Sequence, residues 1–209
     1  MPVITEIKLQ KSKTRANIFI DHNICCGLNL NVIFQHKLKE GVEISEAELL
    51  GIQTESEANE VMEKALSLLE RQKYSCSRLK TKLKEKGYME QLIDNTIEKL
   101  KSYGYVNDFD YVRSYVTSNP NKSKREVEKS LLARGIQRDV VEQYFYSLEE
   151  PVDEQLKCDS QAEKYMRRKE KNEAVAKKLL QHLLYKGFSF EQAKNSVKKF
   201  TKEEFDAYD

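Results

Sequence analysis

Tryptophan is absent from this chain, and proline occurs only three times and glycine only seven times in 209 residues. Charged residues make up 33% and hydrophobic residues 39%. A charged, glycine-poor chain of this kind suits helices with wide solvated faces and does not suit one bulky core. Cysteine is scarce: Cys25, Cys26, Cys76 and Cys158 form no CxxC pair, and His22, His36 and His182 lie far apart. No zinc framework can be assembled from them, and reduced thiols in the cytoplasm are expected. No secretory h-region opens the chain, and no apolar run approaches the ~20 residues that span a membrane. A cytoplasmic protein without membrane contact is therefore expected. GxxxxGK[ST] and GxGxxG are missing, no nucleophile motif accompanies a histidine, and Glu149-Glu150 fall in an expected linker. The chain is read as non-enzymatic, with no cofactor and no metal.

Charge of one sign is lacking too, since the net is only +2. Nothing global favours nucleic acid, but the charge is segregated. Arg71 to Lys86 holds seven basic residues and one acid, whereas Asp139 to Glu154 holds six acids and no base. Such blocks mark distinct faces or ends.

What is present is a repeat. Ser77 to Asn107 reads as helix, glycine turn, helix, glycine turn. Around Gly87, apolar residues sit at minus eight, minus four, plus six, plus ten and plus thirteen: Leu79, Leu83, Ile93, Ile97 and Leu100. Around Gly135 the same places hold Val127, Leu131, Val141, Phe145 and Leu148, and around Gly187 they hold Leu179, Leu183, Ala193, Val197 and Phe200. A basic residue precedes each glycine (Lys86, Arg134, Lys186) and an apolar or aromatic one follows (Tyr88, Ile136, Phe188). The glycines are 48 and 52 residues apart. Independent helices have no reason to share a register, so the pattern predicts tandem small helical bundles.

The first helix of each unit completes it. Ser56 is expected to cap a helix whose apolar face holds Ala58, Met62, Ala65, Leu66 and Leu69. Asp108 is expected to cap the next, with Phe109, Val112, Tyr115 and Val116, closed by Pro120. Pro151 separates the third, which opens with a helix from Asp153 to about Lys171 carrying Leu156, Ala162, Tyr165 and Met166. Before these, Ile7 and Leu9, Ile18 and Ile20, and Ile24, Cys26, Leu28 and Leu30 alternate with polar neighbours. That predicts two or three antiparallel strands, leaning on a helix near Val32–Leu38 and on another opened by a Ser45/Glu48 capping box. The expected organisation is a β-rich segment over 1–50 and three-helix repeats over 51–105, 106–150 and 151–209, the last with a polar tail where Phe205 and Tyr208 could dock. The fold class is mainly α, and neighbour-only contacts between repeats predict an elongated, curved body.

Gly104-Tyr105-Val106-Asn107-Asp108, between the first two repeats, resembles the junction of the RecX family, bacterial regulators of the RecA recombinase. The basic-glycine-apolar turns at Gly87, Gly135 and Gly187 and the Ala65-Leu66 to Leu69 stretch are similar to that family as well. The likeness covers residues 58 to 201, and segment 1–50 is similar to an extension carried by some members. Val112 departs from a frequent alanine, and Lys122-Ser123-Lys124 stands where many members have glycine. The resemblance implies a regulator that binds in the groove of the RecA–single-stranded DNA filament and restrains its ATPase, coprotease and strand-exchange activities, in recombination, DNA repair and the SOS response. It implies no catalysis. A monomer is expected.

Candidate partner- or DNA-facing residues are Arg78 and Lys82; Lys124, Arg125 and Lys129; and Arg167, Arg168, Lys169, Lys171, Lys177 and Lys178. Two readings stand for them: a phosphate- or acid-binding surface, and a solvated face with favourable charge at helix C-termini. For Lys86, Arg134 and Lys186 the second reading is preferred. At the junction, Gly104 ends one helix, Tyr105 and Val106 plug the seam and Asp108 caps the next. Of Tyr144, Phe145 and Tyr146, two at most can face the seam. A helix-turn-helix DNA reader is disfavoured because the helix after Gly87 starts Tyr88-Met89-Glu90-Gln91 and contains Asp94 and Glu98. A helical-repeat protein acting on DNA directly, and a scaffold unrelated to DNA, remain as alternatives.

Overall fold

The alternating pattern of the first thirty residues folds into three antiparallel strands, β1 (Ile4–Leu9), β2 (Arg15–Ile20) and β3 (Asn23–Asn29), in the order β1-β2-β3. The computed structural model describes residues 2–11, 13–149 and 153–201. Asp21 and His22 both take positive φ, 48° and 66°, as a two-residue hairpin turn requires to match strand twist. Ile4, Ala16, Ile18 and Leu28 are buried with Val32 and Ile33 of α1 (Leu30–Gln35) and Ile52 of α2 (Glu46–Arg71). Leu9 and Ile24 remain exposed.

Helix α2 joins what the capping signals at Ser45 and Ser56 suggest as two helices. Ser45 and Glu48 form the capping box, but the helix then runs 26 residues without a break at position 50 or at Ser56. Ser56 is buried inside it, and its Oγ accepts from the Asn29 N–H at 2.7 Å. The hydroxyl that looked like a cap instead satisfies a buried strand-end donor. The buried stripe is Ile52, Ser56, Val61 and Ala65, whereas Ala58, Met62, Leu66 and Leu69 are half-buried. Arg15 clamps sheet to helix, donating to the Gly27 carbonyl at 2.7 Å and pairing with Glu60.

The remaining described helices are α3 (Cys76–Lys84), α4 (Glu90–Ser102), α5 (Asp108–Thr117), α6 (Lys124–Leu132), α7 (Arg138–Tyr146), α8 (Glu154–Met166), α9 (Glu173–Tyr185) and α10 (Phe190–Thr201). The chain is thus mainly helical behind a small sheet. Leu79, Leu83, Val127, Leu131, Leu179 and Leu183 are all fully buried, as the shared register predicts. Gly87, Gly104, Gly135 and Gly187 all have positive φ, from 73° to 88°. In α7 the inward residue is Tyr144 rather than Phe145, which is half-buried; Tyr146 is the exposed one of the three, at 93%.

Contacts divide the chain into two compact units, Met1–Tyr74 with Arg78–Val106, and Ser75–Ser77 with the chain from Asn107. Inside the second unit a side-chain device recurs. Ser75 and Ser123 each precede their own repeat's turn glycine by twelve residues, and both are fully buried. Ser75 Oγ donates to the Arg134 carbonyl at 2.7 Å, and Ser123 Oγ donates to the Lys186 carbonyl at 2.6 Å. Each serine therefore satisfies a helix-end carbonyl just before a turn glycine. A Cβ on Gly135 would collide with Ser77, so only glycine lets the two backbones meet. Repeat three has Val175 at the equivalent place, so the device stops there.

Other local expectations are corrected. Tyr105 is 62% exposed, so of these two junction residues Val106 alone is buried. Asn107, not Asp108, is the cap: its Oδ1 accepts from the N–H groups of Phe109 at 2.9 Å and Asp110 at 3.4 Å. Asp108 instead accepts from the Cys76 N–H at 2.8 Å. Leu156 is exposed, and Cys158 takes its place in the core beside Ala162 and Met166. Helix α8 stops at Met166 because residues 167–171 are all charged and offer nothing apolar to bury. Pro151, Phe205 and Tyr208 lie outside the described residues.

Candidate functional site

Cations become a site only where the backbone brings them together. Helix α6 is capped by Ser123, whose Oγ accepts from the Glu126 N–H at 3.0 Å, and it turns Val127 and Leu131 inward. That rotation points Arg125 and Lys129 away from the core. In the second unit they line a groove of about 620 Å³ with Arg134, Tyr185 and Lys186. Tyr185 is 88% exposed and Leu184 beside it 38%. Four cations face one acid, Glu126, whose carboxylate lies 3.9 Å from both Lys122 and Lys186. The arrangement suits an extended anion with an apolar or aromatic component.

The groove's cations are held by different means. The Arg134 guanidinium stacks 4.7 Å from the Tyr115 ring centre and donates to the Ser130 carbonyl at 2.7 Å. The preferred C-terminal role for Arg134 is therefore present, and it coexists with a place in the groove. Lys122 donates to the Tyr115 hydroxyl at 2.7 Å. Burial opposes ionisation of that phenol, but Lys122, Ser130 and Arg134 outweigh it and bring its pKa below the ordinary value.

The other candidates are placed as follows. Lys124 lies over the Phe145 ring at 4.9 Å, and its backbone N–H donates to Glu154. Arg167, Arg168, Lys169 and Lys171 are exposed in the segment between α8 and α9. Of these, Lys169 sits 3.0 Å from the Tyr165 ring centre. Lys177 pairs with Glu173 at 2.9 Å, and Lys178 is exposed. In the first unit Arg78 is exposed, and Lys82 pairs with Glu85 at 2.6 Å. Lys80 and Lys84 likewise pair with Asp94 and Glu90. Gly87, Gly104, Gly135 and Gly187 serve the turns, and Val106, Asn107 and Asp108 the junction described above.

Two residues escape a reading by charge density. Tyr185 occupies the position two before the turn glycine, where the other repeats have Glu85 and Ala133; only a comparison of the repeats would single it out. His182 stacks on Tyr165, ring centres 4.8 Å apart. Burial, then the charges of Lys186 and Lys169, hold its pKa below the ordinary value, against the opposing pull of Glu126. This imidazole thus lies within the field of both the groove and the exposed cluster.

Among the described residues no group of histidines, cysteines and carboxylates could hold a metal, and no helix is long and apolar enough to cross a membrane. The sequence profile of the regulatory protein RecX N-terminal domain matches residues 2–45, and that of the first three-helix domain of RecX matches residues 62–100. Regulatory protein RecX of Bacillus pumilus is 33% identical over 198 residues, which cover 91% of this chain and 74% of that protein. Regulatory protein RecX of Clostridioides difficile is 30% identical over 214 residues, covering both chains fully. A crystal structure of a regulatory protein RecX superposes with a TM-score of 0.70 at 25% identity, covering 98% of this chain and 100% of that one.

Proposed function

Because this chain belongs to the RecX family of regulatory proteins, we propose that it binds the RecA–single-stranded DNA filament and modulates, mostly by inhibition, its ATPase, coprotease and strand-exchange activities. It does so in the cytoplasm, as a monomer and without catalysis of its own, in recombination, DNA repair and the SOS response. The observation that carries this reading is the groove where Arg125, Lys129, Arg134 and Lys186 converge beside exposed Tyr185. Its charge fits phosphates or acidic side chains presented along a filament. The exposed cluster Arg167, Arg168 and Lys169 adds a second contact. Arg78, Lys82 and Lys124 are engaged with their own neighbours or stand apart from the groove's lining, and they contribute less.

The test is inhibition of RecA-driven ATP hydrolysis on single-stranded DNA, titrated with wild type and with Arg125→Ala/Lys129→Ala. The variant is expected to retain its fold, since exposed charges contribute little to stability. It is expected to need about tenfold more protein for half-inhibition, a loss that shrinks at high salt as screening removes the same contribution. Unchanged inhibition at low salt by the folded variant would overturn the assignment of the groove.

Exposed Tyr185 favours a second reading, direct binding of single-stranded DNA, because base stacking on an aromatic ring contributes about 1–3 kcal/mol per base. Anisotropy of a labelled oligonucleotide with and without RecA and ATP separates the two. Binding that needs the filament supports the first; equal binding to bare DNA supports the second.

A further inference from the structure

The first unit carries a groove of the opposite charge. It lies between the end of α1, the segment 38–44 and α2, and encloses about 490 Å³. Its floor is apolar: Leu38 and Val42 are half-buried, Ile44 and Ile52 buried. Its rim carries Glu43, Glu48 and Glu55, and the one basic group lining it, His36, is held by Glu55 at 2.7 Å. Glu48 accepts from the Ser45 hydroxyl and N–H, which hold its carboxyl pKa below the ordinary value and keep it charged. Two large apolar side chains from the same helices, Phe34 and Leu50, are exposed at 83% and 65%.

Gly51 supplies an independent observation. It lines the groove from the interior of α2, where glycine weakens a helix relative to alanine. A Cβ there would meet nothing within 4 Å, and the backbone is not in the left-handed region. Neither packing nor conformation requires a glycine. Its effect is to leave the groove open to an occupant.

We propose that this groove docks a segment of a partner protein in which an aliphatic side chain is flanked by lysines or arginines. The aliphatic group would cover the Leu38, Val42, Ile44 and Ile52 floor, and the cations would meet the glutamate rim. Phosphates are repelled by that rim. A second copy of this chain is the competing occupant, since its exposed Leu9 stands between Lys8 and Lys11, whereas its Arg78 to Lys84 stretch keeps Leu79 and Leu83 fully buried. Self-association is therefore one outcome of the test.

The probe is a fluorescein-labelled leucine–lysine peptide of helical periodicity, titrated with the full chain and followed by anisotropy at two salt concentrations. Wild type is expected to bind it at least about tenfold more tightly than a peptide with serine for leucine, a 1.4 kcal/mol difference. Gly51→Gln, which fills the groove from a helical position, should weaken binding by a similar factor with circular dichroism unchanged. Glu43→Gln/Glu55→Gln should weaken it about threefold at low salt and less at high salt. RecA inhibition by the Gly51→Gln protein should stay at the wild-type level, so failure here and failure of the filament reading are distinguishable. Equal binding of both peptides, or wild-type binding by folded Gly51→Gln, overturns the proposal. So does concentration-dependent self-association abolished by Gly51→Gln, which would assign the groove to a second copy.

Discussion

The groove at α6 and the charged segment between α8 and α9 carry similar numbers of cations but differ in how those cations are held. In the groove, Arg134 lies against Tyr115 and a helix-end carbonyl, and Arg125 and Lys129 project from a helix fixed by Val127 and Leu131. In the 167–171 segment, Lys169 alone of the four exposed cations lies on a ring. Holding a long side chain before the ligand arrives lowers the entropy lost on binding. Density of charge in the sequence is thus a poorer guide than the rigidity of what carries it.

The largest effects concern the scaffold both regions share. Leu131→Ala and Leu183→Ala each empty a fully buried leucine site and should cost about 2–5 kcal/mol in denaturant unfolding. Leu131→Ala should also weaken RecA inhibition, because it loosens α6. A cost near zero for either would break the equivalence of the repeats.

Binding comes next in size. Arg125→Ala/Lys129→Ala is expected to weaken filament inhibition about tenfold, and neutralising Arg167, Arg168 and Lys169 together only about threefold, since flexible exposed pairs contribute ~0.2–1 kcal/mol each. Measured at two salt concentrations, the reverse ranking would show that rigidity does not decide the comparison.

Smaller still are the turns. Gly104 has φ +73° with nothing near its missing Cβ, so Gly104→Ala should cost about 1 kcal/mol from backbone strain alone. Gly135→Ala should cost more, because the new methyl also meets Ser77. Equal thermal shifts for the two would mean that the Ser77 contact yields freely.

The turns and the core were the most legible parts of this chain. Positive φ at Gly104 and burial of Leu83, Leu131 and Leu183 follow from spacing, because helical period and chain reversal are local properties. What the sequence hid was the use of short polar side chains. Capping is expected of Ser56 and Asp108 and not of Asn107, but which oxygen meets which N–H depends on neighbours remote in sequence, as Asn29 and Cys76 show. The candidate site was half legible for the same reason. Arg125 and Lys129 stood out as charges, whereas Tyr185 and Lys186 join them through the fold of α9 against repeat two.

His182 gives the finest test, because it feels both regions at once through Lys169 and Lys186. The groups around it are the Tyr165 ring, those two lysines and Glu126. Its folded pKa lies below 6.5, so between the two values the unfolded chain binds the proton more readily than the folded one. Stability from this group is fully present above about pH 6.5 and is lost as the pH falls through the folded pKa. Wild type should therefore lose stability between pH 7.5 and 5.5 more steeply than His182→Gln in urea melts at matched ionic strength, the carboxylates contributing equally to both. Raised salt should flatten part of the difference, the part owed to the lysines, and leave the part owed to burial. Parallel curves would mean that the imidazole is as easily protonated folded as unfolded, and that Lys169 and Lys186 do not act on a common site.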